Sequence, residues 1–239
     1  MITYYIFLSI YTKLGPYFNI SIMDSKKIIS LNKSSWEKIK IHNMHLDANL
    51  VKCQKYLFPS AKRKKMLYIG FGEGENLSYL VSQGFECYGT EISKKRLEFA
   101  KKKLKERKQK AILKLVDSNK LPFKNNFFDI IIAWQSLYYN NEKTLKESLD
   151  EIYRVLKPGG RFLSSMLSVK QKLLCNKKIA PNTYKPSPKT GQQNCVVYCF
   201  EKENQIKKIY KKFKNIKIGH YSSYLFKSQN FHYVVYCQK

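Results

Sequence analysis

Arginine, acidic residues and glycine are all scarce in this chain. Of 239 residues, 45 are basic, but only five are arginines (Arg63, Arg96, Arg107, Arg154 and Arg161), and 17 acids leave a net charge of +28. Proteins that read nucleic acid lean on arginine for bidentate and stacking contacts, so lysine-borne charge does not by itself define such a reader. The lysines are dispersed among many Asn, Ile and Tyr residues, as A/T-rich codon usage would leave them. Their field would still draw in anionic molecules. A cysteine framework is missing too. Cys53, Cys87, Cys175, Cys195, Cys199 and Cys237 are scattered, and the close pair Cys195 and Cys199 is followed by Lys202 where a cluster motif needs a third thiol. Zinc would need partners that the nearby sequence lacks. The expectation is no metal, and reduced thiols in a cytoplasmic protein. A long apolar run is absent as well: Lys13, Gly15 and Pro16 break the aromatic stretch of residues 1–22, which reads as neither a membrane span nor a secretory leader. Met23 then opens a polar stretch, so residues 1–22 read as an extension and translation is expected to start at Met23.

Glycine numbers only ten, and three of them, Gly70, Gly72 and Gly74, fall within five positions of the stretch KMLYIGFGEGENLSY. Residues 66–69 are a short apolar run that predicts a buried strand, and Leu77, Leu80 and Val81 recur at helical spacing after the glycines. A strand, a glycine turn and a helix put a Cβ-poor loop at the carboxyl edge of a parallel sheet, where open α/β folds bind ligands. A dinucleotide fingerprint needs a third glycine at 75 or 77, but Glu75 and Leu77 stand there. Glu73 and Glu75 also place carboxylates where a pyrophosphate would sit on the helix N-terminus, which disfavours phosphate. A plain strand-to-helix turn would look the same locally. The G-x-G-x-G pattern resembles the first motif of the class I S-adenosylmethionine-dependent methyltransferases, whose cofactor carries an ammonium and a sulfonium.

The remaining motifs follow in that family's order. FECYGT (residues 85–90) predicts a second strand delivering Glu91, a carboxylate able to accept both hydroxyls of a ribose, with Ile92 beside it and Ser93 as the N-cap of a basic helix. Residues 111–116 predict a third strand ending at Asp117 and Ser118; the resemblance implies that an acid here accepts from the adenine amino group. LPFKNNFFDIIIAWQS resembles the family's approach to strand four, with Trp134 and Gln135 at the exit where donor and acceptor should meet. A periodic helix over 142–156 leads into VLKPGGRFL, similar to the family's next motif and a helix stop. The resemblance covers residues 65–166 well. Beyond it, a helix over 201–213 and strands over 216–221 and 231–237 match the way the family's sheet ends.

These readings predict a three-layer αβα sandwich whose seven-stranded sheet is mostly parallel, with the last strand antiparallel. Residues 23–60 form an N-terminal helical cap and residues 61–239 the methyltransferase domain. Residues 169–200, with Pro181, Pro186, Pro188 and Gly191, read as an irregular insertion: an acceptor-side lid or a disordered loop. Trp36 and His42 are either lid residues or ordinary core and surface. S-adenosyl-L-methionine is the expected cofactor, held by Gly70, Gly72, Gly74, Glu91, Ile92, Asp117, Ser118, Trp134 and Gln135. The acceptor is expected to be a small molecule, glycan or lipid precursor methylated at oxygen or nitrogen, with His220 and Tyr138 as catalytic candidates. Rivals are an RNA methyltransferase using the basic surface and a catalytically silent fold that binds the nucleoside or a partner. The Asn/Asp-Pro-Pro-Tyr/Phe signature of amino-methylating nucleic-acid enzymes is absent from 133–136. The sequence sets no oligomeric state.

Overall fold

The computed structural model describes residues 25–42, 44–60, 64–116, 119–225 and 228–239. Asp117, Ser118 and residues 1–22 therefore lie outside the described residues, and with them the predicted adenine acid and the translation start.

Five strands and their crossovers build the half of the sheet that matters for the site. These are β1 (Lys65–Ile69), β2 (Glu86–Glu91), β3 (Ile112–Leu115), β4 (Phe128–Ala133) and β5 (Leu156–Ser168). They run parallel in the order β3-β2-β1-β4-β5. Both faces of the sheet are covered, so β1 and β4 read as apolar runs: Met66, Leu67, Ile130, Ile131 and Ile132 are fully buried. The order reverses between β1 and β4, and at such a switch point the strand ends leave a crevice. The C-terminal strands β9 (Lys214–Leu225) and β10 (Ser228–Gln238) extend the sheet beyond β5, and β10 is antiparallel to both of its neighbours. The antiparallel final strand is as expected.

Helices α3 (Glu75–Ser82), α4 (Lys94–Glu106) and α5 (Glu142–Val155) are the crossovers. Ser93 caps α4, its hydroxyl accepting from Arg96 N. Asn141 and Thr144 form a capping box at α5, whose buried stripe Leu145, Leu149 and Ile152 matches the periodicity. The motif at 157–160 ends α5 but is itself extended, because Gly159 and Gly160 exchange backbone bonds with Lys239.

Three findings depart from the sequence reading. The N-terminal segment is two helices, α1 (Ser25–Lys38) and α2 (Ala48–Leu57), with a strap between them, rather than one helical rhythm over 34–56. Asp47 breaks the rhythm by capping α2, its Oδ1 accepting from Asn49 N and Leu50 N. The insertion is not irregular either. It folds into β6 (Lys177–Ala180), β7 (Thr183–Lys185), a short 3-10 turn at Pro188–Thr190 and β8 (Val197–Phe200), making ten strands among the described residues rather than seven. A Cys175–Cys199 disulfide ties its ends together, against the expectation of reduced thiols. The two cysteines lie 24 residues apart, and only the insertion's own fold makes them neighbours. Helix α6 (Glu203–Ile209) then leads to β9.

Candidate cofactor and acceptor site

A cavity of about 390 Å³ opens at the carboxyl ends of β1, β2 and β4. Its floor is the glycine turn. Gly70, Gly72 and Gly74 all have positive φ, at 68°, 57° and 82°. The three serve different ends. A Cβ on Gly70 would lie 2.5 Å from Ser136 Cβ and one on Gly74 2.8 Å from Ala100 Cβ, so protein atoms need those two positions bare. A Cβ on Gly72 would meet nothing within 4 Å, and Gly72 lines the cavity. The bare position faces ligand space.

Glu91, 5% exposed, fixes the next wall. Its Oε1 accepts from Ile92 N and Ser93 N, and its Oε2 from Gly72 N at 2.8 Å. A carboxylate has about four lone-pair positions, so three such bonds leave room for a ligand donor. Burial raises the carboxyl pKa, opposed by the three amides and by Arg96.

The two acids of the glycine loop are both present, and both are neutralised. Glu75 is held by Arg107 and Lys103 of the neighbouring α4 segment. Glu73, 2% exposed, accepts from Arg96 Nη1 at 3.0 Å and from the backbone of the strap, His42 N and Met44 N. Burial alone would raise the Glu73 pKa, but the Met44 and His42 amides and the Arg96 guanidinium hold it below the usual carboxylate value. The charge argument against phosphate is weaker than the sequence suggested. The same contacts pull the strap down over the cavity, and Arg96 carries the Trp36 ring at 4.8 Å. Trp36 and His42 both line the cavity.

At the β4 exit, Gln135 takes φ +54° and its N–H is held by Ser165 Oγ. Trp134 Nε1 and Gln135 Nε2 both donate to Asp47 Oδ2, at 2.9 and 3.2 Å. Gln135 also donates to the Tyr221 hydroxyl. Tyr138 and Tyr139, ring centroids 4.7 Å apart, form the far wall. The insertion reaches it too, since the Tyr139 hydroxyl donates to Gln192 Oε1. Burial drives the Tyr138 phenol well above its ordinary pKa.

The cavity thus brings together Gly70, Gly72, Gly74, Glu91, Ile92, Trp134, Gln135 and Tyr138. It does not include His220. Alternation along β9 turns Tyr221 toward Trp134 and leaves His220 on the other face, exposed and stacked on Phe231. That geometry places His220 outside the cavity. Asp47 and Arg96 were missed. Asp47 gives a local signal, a capping acid at the head of DANLVK, and Arg96 is one of only five arginines.

His232, also passed over, is 4% exposed, and neither ring nitrogen has a hydrogen-bond partner among the described residues. It stacks on Tyr221 at 5.1 Å and lies 5.8 Å from Tyr138. Burial lowers its pKa to about 4, against a weak opposing pull from Asp47. The folded pKa lies below the unfolded value of 6.5, so the unfolded chain takes the proton first. Stability should be full above pH 6.5 and fall by about 3 kcal/mol as pH drops toward 4. Denaturant titrations of His232→Phe across this range should lack that component; an unchanged pH profile would exclude it.

The crevice, the bare Gly72 and the acid at the end of β2 lie where ligands bind in an open, Rossmann-like α/β fold. Residues 67–164 match the family model described as a methyltransferase domain. Over 105 residues the chain is 31% identical to the ubiquinone/menaquinone biosynthesis C-methyltransferase UbiE of Wigglesworthia glossinidia brevipalpis, covering 42% of this chain and 41% of that protein. It is 33% identical over 100 residues to the human mitochondrial arginine-hydroxylase NDUFAF5, covering 42% and 28%. The chain therefore spans less than half the length of these curated relatives. Among solved structures, a Methanosarcina mazei SAM-dependent methyltransferase superposes with a TM-score of 0.67 at 18% identity, covering 82% of this chain and 99% of that one.

The cavity fits S-adenosylmethionine on its own chemistry. Thr90 and Arg96 line it, and Thr90 Oγ1 and Arg96 Nε are buried without hydrogen-bond partners among the described residues. Among the described residues no helix is long and apolar enough to cross a membrane.

Proposed function

We propose that the chain is an S-adenosylmethionine-dependent methyltransferase acting on a small or medium-sized, predominantly uncharged acceptor. The observation that carries this reading is the bare Gly72 position facing a cavity whose opposite side is aromatic and amide. When bound, S-adenosylmethionine supplies a methyl group already activated by its sulfonium charge. Gly70, Gly72, Gly74, Glu91 and Ile92 would hold it, with Asp117 and Ser118 expected to take the purine. Trp134 and Gln135, fixed by Asp47, orient the acceptor, and the strap excludes water. Positioning of this kind can be worth roughly 7–11 kcal/mol of barrier. Where an acceptor proton must leave, His42 and His45 are the imidazoles that line the cavity.

The relative named a C-methyltransferase adds carbon to oxygen and nitrogen as the acceptor atom. A quinol precursor, a glycan or another metabolite fits this reading better than RNA. Among the described lining residues Arg96 is the sole lysine or arginine, and Glu73 neutralises it. Polyanion contacts would have to come from outside the cavity.

Calorimetry tests the reading. Wild type should bind S-adenosylmethionine, and Glu91→Gln should weaken binding roughly 10- to 100-fold, as expected for a hydrogen bond to a charged group. Equal affinity in a folded variant would remove the assignment. Binding without transfer of radiolabelled methyl to any quinol, glycan or tRNA pool would favour the silent fold.

A further inference from the structure

Among the described residues six large apolar side chains are exposed, and three of them, Met44, Leu46 and Tyr56, fall in one short stretch between residues 44 and 56. Met44 and Leu46, 49% and 39% exposed, belong to the strap, and Met44 also lines the larger cavity. The pair therefore stands at the rim of that cavity. The strap holds it outward. Met44 N donates to Glu73 at 3.0 Å and Asp47 N to Asn76 Oδ1 at 2.9 Å, so the segment is anchored on both sides of Leu46. Apolar surface that a fold pins outward beside a cavity mouth marks contact with another body.

The charge around the pair is a separate observation, and it has one sign. Between Glu37 and Glu73 the chain carries eight basic residues and a single acid, Asp47. Both Asp47 oxygens are committed, Oδ1 to the α2 amides and Oδ2 to Trp134 and Gln135. Glu37 is likewise taken up by the amides of Lys94 and Lys95. Along α2, Ala48, Lys52, Lys55 and Tyr56 recur at helical spacing on one face, and all four are exposed. The apolar pair thus continues into a face of lysines and a tyrosine, side chains that lay an apolar stem on lipid and keep a polar tip in water.

We propose that the strap and the outer face of α2 form a docking surface for an anionic lipid bilayer, with Met44 and Leu46 entering among the headgroups and Lys40, Lys52 and Lys55 facing their charge. Attachment of this kind is peripheral, reaching only the boundary between headgroups and acyl chains. Met44 and Leu46 are aliphatic and offer no stacking face to unpaired bases, which favours lipid over RNA. Docking here sets the mouth of the larger cavity against the membrane. An apolar acceptor would then pass from bilayer to site without crossing water, a consequence that rests on the methyl-transfer reading. The docking itself does not, and its test needs no cofactor.

The full chain is sedimented with phosphatidylcholine vesicles, with and without phosphatidylglycerol, at about 0.15 M ionic strength, where exposed charges are screened beyond about 8 Å. Binding is expected only where phosphatidylglycerol is present. Met44→Ser/Leu46→Ser should weaken it by about tenfold or more and melt like wild type, because both side chains are exposed. Ile112→Ser/Leu115→Ser removes side chains of similar exposure, 50% and 41%, from β3 and should bind like wild type. Lys40→Gln/Lys52→Gln should weaken binding by about fivefold per lysine, and Lys207→Gln/Lys208→Gln on α6 by much less. Equal losses from the two apolar pairs or from the two lysine pairs, no loss from Met44→Ser/Leu46→Ser, or equal binding to phosphatidylcholine alone would each refute the surface. If Met44→Ser/Leu46→Ser weakens binding of bulk tRNA and leaves vesicle binding intact, the occupant is RNA and the lipid assignment falls.

Discussion

Gly72→Val should abolish S-adenosylmethionine binding while leaving a folded protein. The valine Cβ enters space that no protein atom occupies within 4 Å, so it excludes the ligand without striking the fold. Its cost is conformational: φ of +57° is left-handed, which a side chain adopts at about 1–2 kcal/mol. For a chain of this size that lowers the melting temperature by a few degrees, roughly 2–4 °C per kcal/mol. Gly74→Val should behave in the opposite way. Its Cβ meets Ala100 Cβ at 2.8 Å, where α4 packs against the loop, so stability falls and binding falls with it. Calorimetry and thermal melts on the two variants separate the roles. A Gly72→Val protein that still binds the cofactor would show that the bare position is only a turn.

Arg96→Met should be the most destabilising single change in the site. The Arg96–Glu73 pair is buried, with side chains 5% and 1% exposed. Removing one partner of such a pair costs about 3–5 kcal/mol, because the other charge stays buried and alone. The carboxyl of Glu73 is held below its ordinary pKa, so its contribution is present at neutral pH and is lost on acidification through that lowered value. Adding Glu73→Leu should restore part of the loss and not all of it. The double variant leaves the His42 and Met44 amides without their acceptor. The strap should then be cleaved faster by protease than in wild type, even where global stability has recovered. Chemical denaturation of the two variants measures the first effect and limited proteolysis the second. A loss below about 1 kcal/mol in Arg96→Met, the range of an exposed pair, would contradict the buried assignment.

The parts of the fold legible in the sequence are those written in local pattern. The apolar runs at 66–69 and 130–133, the stripe Leu145, Leu149 and Ile152, and the three glycines each announce an element or a turn within a few residues. Their order carried the sheet topology. What escaped depends on residues far apart in the chain. Glu73 needs Arg96 and the strap amides some 23 to 31 positions away, and Asp47 needs Trp134 at a separation of 87. No periodicity records such pairs. The insertion misled for a related reason: its prolines and short strands hide regularity that depends on pairing with β5. His220 and His232 were indistinguishable by spacing, and only the register of β9 against β10 shows which imidazole is buried.

A crystal structure of the full chain grown with S-adenosylhomocysteine examines the central claim without intermediaries. The ribose hydroxyls are expected on the Glu91 carboxylate, with the ligand backbone against Gly72 and its sulfur toward Trp134 and Gln135. A nucleoside bound elsewhere, or those strand ends filled by the protein's own side chains with the ligand excluded, would contradict it.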